Sequence, residues 1–125
     1  NIRVNGIVAF PKTNKLALID YVSNDLLVLN IETDSIEKQI QTKQKMSHLL
    51  ALHPNKAIAY VTNMESNSVS VIDLNKNEVI KILGDEYNDA NSSKWFYFIG
   101  KKTFLFKMYL YIHFDKFGKV CKIET

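Results

Sequence analysis

Three histidines, one cysteine and a scatter of carboxylates and hydroxyls are the groups in this 125-residue chain with the chemistry for catalysis or metal binding. His48 and His53 stand five apart. On a strand that odd spacing sends them to opposite faces, and no third ligand lies near either, so they do not make a metal site. His113 is more isolated still. Asp20 and Asp25 flank one short polar stretch, Glu65 lies in another, and Asp73 closes an apolar run. Paired carboxylates can do acid–base work, but at these positions Asp and Glu read as turn formers or solvated loop residues. Ser23, Ser66, Ser68 and Ser70 have no base near them in sequence, and no G-x-S-x-G elbow is present. Four glycines leave no phosphate-cradling loop. The single cysteine, Cys121, excludes a disulfide framework and a multi-cysteine metal site, and reads as a small buried hydrophobe. Trp95, Phe96, Tyr97 and Phe98 offer a stacking surface, or packing inside a core or between sheets, which is the simpler use. No catalytic residue, metal or cofactor is expected from these residues.

Charge narrows the partners. Sixteen basic and 13 acidic side chains give a net charge of +3, too balanced for the concentrated basic face that nucleic acid calls for. The aromatic residues are uneven. Phe10, Tyr21 and Tyr60 precede residue 85, and the other eleven fall between Tyr87 and Phe117. The chain thus has a Val/Ile/Leu/Asn-rich first zone and a Lys/Phe/Tyr-rich second one. Gly84 to Ser93, "GDEYNDANSS", is the expected loop between them. Lys101, Lys102 and Lys107 break the second zone well short of the ~20 apolar residues a bilayer span needs. "NIRVNGIVAF" carries no signal-peptide pattern.

The elements that would position these groups are short strands. In "AIAYVTNMESNSVSVIDLNKNEVIKIL", Ala57 to Leu83, three β-branched runs are separated by Asn-, Ser- and Asp-rich turns. In "NMESNS" the Asn and Ser side chains can bond their own backbone; in "DLNKNE" Asp73 and Asn75 suit an Asx turn. Sliding the sequence by about 43 residues lays "GIVAFP" on "LLALHP" and "SNDLLVLNIETDSIEKQI" on "SNSVSVIDLNKNEVIKIL". "KLALI" falls on "AIAYV" after a one-residue slip in the turn. Pro11 meets Pro54, Asn24 meets Asn67, Val28 meets Val71 and Lys38 meets Lys81. Each unit carries four strand signals, at roughly 6–10, 15–19, 26–31 and 35–40, then 49–53, 57–62, 68–73 and 78–83. Four strands in about 43 residues is the period of a propeller blade. Ile36, Ile40, Lys43, Ser47 and Leu50 also share one face of a helix, but Ile36 to Ile40 repeats the strand pattern of "VIKIL", so strands are expected there.

"YVTNMESNSVSVIDLNKNEVIKIL" resembles the YVTN repeat, whose tetrapeptide stands here as Tyr60, Val61, Thr62 and Asn63. "LIDYVSND" replaces the tetrapeptide region in the first unit, and the link "QTKQKMSHLL" lacks the Gly and Pro that usually join blades in that family. The resemblance implies an all-β fold, a partial β-propeller of two to three four-stranded antiparallel blades in an open arc. The blades are expected at about 5–41 and 47–84, with a loop at 85–93. Residues 94–125 hold four further strand-like runs, "KWFYFIG", "KTFLFKM", "YLYIHFD" and "KVCKIE". They are either a degenerate third blade or foreign sequence.

Such an arc leaves blade faces bare. The expected partners are therefore other blades, from a missing chain portion or by self-association, and a further protein. The resemblance implies a non-catalytic interaction scaffold of extracellular or cell-surface type. The alternative is an incomplete piece of a propeller enzyme, such as a lactonase or the propeller domain of a redox enzyme. Recognition by a scaffold would use loops at the strand ends. The candidate ligand-binding residues are Asp20 and Asn24 in the first unit and Asn63, Glu65 and Ser66 in the second.

Overall fold

A computed structural model describes residues 2–84 and 92–125. Most of the loop expected at 85–93 lies outside the described residues. The chain divides into two compact units, one ending at Gly84.

The first unit contains two four-stranded sheets. β1 (Val4–Ala9), β2 (Lys15–Asp20), β3 (Asp25–Asn30) and β4 (Ser35–Gln41) pair in chain order, every pair antiparallel. β5 (Ser47–Leu52), β6 (Ile58–Asn63), β7 (Ser68–Asp73) and β8 (Glu78–Leu83) repeat that order. Ser35–Gln41 and Ser47–Leu52 are strands, so the helical pattern across them loses to β pairing.

The repeat is stricter than the sequence suggested. All eight strand starts match at a shift of 43 residues, for example Lys15 with Ile58 and Asp25 with Ser68. The one-residue slip between "KLALI" and "AIAYV" is a correction: Asp20 occupies the place of Asn63, and Ala17 that of Tyr60. Bulges repeat as well. The ladder is irregular between Val4 and Ile7 and again between Ser47 and Leu50, then between Val28 and Leu29 and again between Val71 and Ile72. So do the turns. Asn24 and Asn67, like Asp34 and Asn77, have φ of 60°, 49°, 54° and 58°. Asn and Asp tolerate this left-handed conformation best among residues with a Cβ.

Three of the four turns carry an Asx bond. Asp20 Oδ1 accepts from Val22 N, Asn30 Oδ1 from Glu32 N and Thr33 N, and Asp73 Oδ1 from Asn75 N and Lys76 N. Asn63 departs from this pattern, because its side chain turns inward instead of bonding its own turn.

The core of this unit lies between its sheets. Ala17, Ile19, Leu26, Val28 and Ile40 of the first pack with Leu50, Ala59, Val61, Ile72 and Leu74 of the second. The equivalent mid-strand residues Val28 and Val71 are both buried. Each large aliphatic side chain in such a core stabilises by about 1.5–3 kcal/mol. At the turn end opposite the link, Lys38 donates to the backbone carbonyl of Leu74, tying the sheets together there. The innermost strands also touch closely. A Cβ on Gly6 would lie 2.8 Å from the carbonyl oxygen of His48.

The second unit is a three-stranded antiparallel sheet, in order β11 (Val120–Glu124), β10 (Lys107–Phe114), β9 (Lys94–Lys101). Four strands were expected. "KTFLFKM" does not form one: Thr103 to Phe106 are the turn, and Lys107 and Met108 continue without a breaker into the Tyr- and Ile-rich run. Among the described residues no helix is long and apolar enough to cross a membrane.

Candidate functional site

The link between the two sheets crosses over the turns that hold the candidate loop residues. With no glycine available, it places Lys43 and Met46 in the left-handed region at φ of 56° and 53°. It is stitched on both sides. Thr42 donates through its N–H and its hydroxyl to the Asn24 carbonyl, at 3.2 and 2.8 Å. Ser47 N donates to Asn24 Oδ1 at 2.9 Å, Lys45 N to Ser66 Oγ at 2.9 Å, and Met64 N to Met46 O at 2.9 Å.

Beneath these bonds runs a buried polar chain. The hydroxyls of Thr42 and Ser47 are 2.9 Å apart. Ser47 Oγ donates to Asn63 Oδ1 at 2.8 Å, and Asn63 Nδ2 donates to Ser70 Oγ at 2.9 Å and to Ser68 Oγ at 3.3 Å. Ser68 Oγ in turn donates to Gln44 Oε1 at 3.3 Å. Thr42, Ser47, Asn63 and Ser70 are almost wholly inaccessible, at 2%, 1%, 1% and 0% exposure. Each is satisfied by the others, as polar groups withdrawn from water must be.

The structure therefore commits the side chains of four of the five candidates to hydrogen bonds within the fold, and leaves one open. Asp20 is buried. It accepts from Arg3 N at 3.2 Å, Val22 N at 3.1 Å and Ser23 Oγ at 3.0 Å. Burial pushes its pKa up, and these hydrogen bonds to the carboxylate outweigh it, leaving the pKa below the usual value. Asn24 anchors the link, Asn63 is the centre of the buried chain, and Ser66 accepts from Lys45. Glu65 is exposed, its backbone N–H donating to Lys45 O at 3.3 Å. Sequence reasoning missed Thr42, Ser47 and Ser70. No local signal marked them: Thr42 lies in the link, Ser47 is the first residue of β5, and Ser70 alternates with Val69 and Val71 as an outward-facing residue would.

The histidines serve local packing. His48 is half-buried, with Nδ1 against Asn5 Nδ2, and burial holds its pKa below the usual value. His53 is buried, accepts from Asn55 N at 3.2 Å and lies with its ring 6.3 Å from that of Tyr60. Burial raises the Tyr60 hydroxyl to about 12. His113 is not isolated: its Nε2 lies 2.8 Å from Glu124 Oε1 on the adjoining strand, and Lys122 lies 2.9 Å from the other oxygen. Those two partners hold Glu124 below the usual carboxylate range, the lysine contributing more. Cys121 is exposed rather than buried and stands on β11, an edge strand of its sheet among the described residues. Phe96 and Phe98 are likewise about half exposed, at 54% and 56%, while Trp95 and Tyr97 on the other face are half-buried. Among the described residues no group of three His, Cys, Asp or Glu side chains is placed to hold a metal ion.

No known family profile and no curated protein matches the chain. Among solved structures, hydrazine synthase of Kuenenia stuttgartiensis, a propeller-containing protein, is similar over 98% of this chain with a TM-score of 0.62. The identity is 15%, and the chain spans 37% of that protein's length. Such a likeness carries the fold and not the chemistry. Repeated four-stranded antiparallel sheets, packed face to face in the first unit without closing a ring, together with this likeness, make the chain an all-β partial propeller.

Proposed function

We propose that the chain is a non-catalytic interaction scaffold that binds protein through an open blade face. The observation that carries this reading is a set of exposed isoleucines on the first sheet's outer face, around the buried Leu18 and Leu27. Ile7, Ile31 and Ile36 are 57%, 55% and 49% exposed. At the 43-residue shift their counterparts are Leu50, Leu74 and Val79, which pack in the core against the first sheet. The first sheet thus presents outward the same apolar positions that the second sheet uses to bind a blade. Exposed apolar positions grouped in this way mark interaction surfaces. The commitment of Asp20, Asn24, Asn63 and Ser66 to structural hydrogen bonds supports the non-catalytic half of the reading. A cell-surface setting belongs to the same proposal and rests on the YVTN resemblance.

Sedimentation velocity tests it. The 125-residue chain is expected to self-associate as concentration rises, and Ile7→Lys with Ile31→Lys to abolish this with an unchanged far-UV spectrum. A wild-type chain that stays monomeric and matches the variant would overturn the face reading. Hydrolysis of a sugar lactone by the chain, lost on replacing His48 or Asp20 with folding intact, would overturn the non-catalytic one.

A further inference from the structure

The turn joining β9 to β10 is built unlike the other turns among the described residues. Phe104, Leu105 and Phe106 stand at its tip, 85%, 70% and 64% exposed. The tip is shaped by its own backbone. Lys102 N donates to Phe106 O at 2.8 Å, Phe106 N to Thr103 O at 3.3 Å, and Leu105 N to Thr103 Oγ1 at 3.3 Å. At its base Lys101 and Lys107 are direct cross-strand partners, with Lys102 beside them, and all three are exposed. Like charges facing each other across a ladder destabilise it. From Lys94 to Phe114 the sequence contains no Asp or Glu to relieve them. Three large apolar side chains in water, beside three exposed lysines, are poorly suited to solvent and well suited to an anionic interface.

From this juxtaposition we propose that the β9–β10 hairpin is a membrane-surface anchor. Phe104, Leu105 and Phe106 enter the boundary between headgroups and acyl chains, and Lys101, Lys102 and Lys107 meet anionic headgroups. The apolar tip supplies burial and the lysines supply attraction, the two contributions that set interfacial binding. The chain does not span the bilayer in this mode. The inference is independent of the blade-face reading, since it concerns the other unit.

The test is co-sedimentation of the full chain with phosphatidylcholine vesicles, with and without phosphatidylserine at one part in four. Binding is expected to need phosphatidylserine and to fall with added salt. Each of Lys101→Gln, Lys102→Gln and Lys107→Gln should weaken it about fivefold, and all three together by about two orders of magnitude. Phe104→Ser with Leu105→Ser should abolish it. If that pair fails to fold, the lysine variants, exposed and outside every core, still decide the matter. Phe96→Ser should leave binding unchanged. The proposal is overturned if the wild-type chain does not sediment with phosphatidylserine vesicles, or if the tip variants bind as well as wild type. It is equally overturned if an oligouridine binds the tip more tightly than the vesicles do, or if the tip drives dimerisation without lipid.

Discussion

Replacing Asn63 by Ala isolates what the buried polar chain contributes. The side chain is 1% exposed, accepts from Ser47, and donates to Ser70 and Ser68. Ser47 can redirect its proton to Thr42, 2.9 Å away. Ser70 is fully buried and loses the amide that donates to it. Two lost hydrogen bonds at about 1 kcal/mol each, with a stranded hydroxyl at about 1–3 kcal/mol that partly overlaps them, give a loss of about 2–4 kcal/mol. For a unit of this size that lowers the thermal midpoint by roughly 10–25 °C. Far-UV circular dichroism during heating reads it directly. Glu65→Ala, two residues away and exposed, is the control and should stay within about 0.5 kcal/mol of wild type. A double-mutant cycle with Ser70→Ala should show coupling of about 0.5–3 kcal/mol. If Asn63→Ala melts with wild type, or the cycle shows no coupling, the chain of hydroxyls and amide does not brace the second sheet and the reasoning fails.

Other perturbations follow from single features. Gly6→Ala would set its Cβ 2.8 Å from the His48 carbonyl oxygen, and backbone cannot yield as a side chain can; a loss of about 1–3 kcal/mol in urea unfolding is expected. Met46→Gly relieves a left-handed residue costing about 1–2 kcal/mol and adds back about 0.5–1 kcal/mol of unfolded-state entropy, so a denaturation midpoint at or slightly above wild type is expected, whereas Met46→Val should lower it. For Asp20 the folded pKa lies below the unfolded one, so its contribution is present above the ordinary carboxylate value and is lost as pH falls through the folded pKa. Asp20→Asn should therefore narrow the difference in stability between neutral pH and pH values below about 4, measured by chemical denaturation.

The strands and their turns were legible because two local rules govern them: alternation with period two, and Asn or Asp where the chain must turn left-handed. Asn24, Asn67, Asp34 and Asn77 announce their turns by type alone. The polar chain was not legible, because Ser47, Asn63 and Ser70 meet only once β5, β6 and β7 pair and Thr42 joins them from the link, and nothing local distinguishes an inward hydroxyl from an outward one. Asn63 misled for the same reason, reading as a turn former while its side chain points inward. The slip placed in the first hairpin came from matching apolar letters. The ladder instead equates Lys15 with Ile58, a pair that hydropathy sets apart. Cys121 and Phe96 were misjudged because both stand on edge strands, and alternation does not show which face of an edge strand is covered.

Matching strand starts and bulges, and left-handed residues at Asn24/Asn67 and Asp34/Asn77, at a constant shift of 43, also make the first unit a cassette. A cut after residue 23 and another after residue 66 fall at the same point of the same turn, so duplicating residues 24–66 in frame recreates every junction already present, the link with Lys43 and Met46 included. No new loop has to be solved. Each inserted copy would cover one blade face and expose another, so stability would rise by a nearly constant step per copy, as in arrays governed by nearest-neighbour terms. Lengthening such a gene by unequal recombination would not disturb the fold at its seams, and blade number is the property of this architecture that can change most readily.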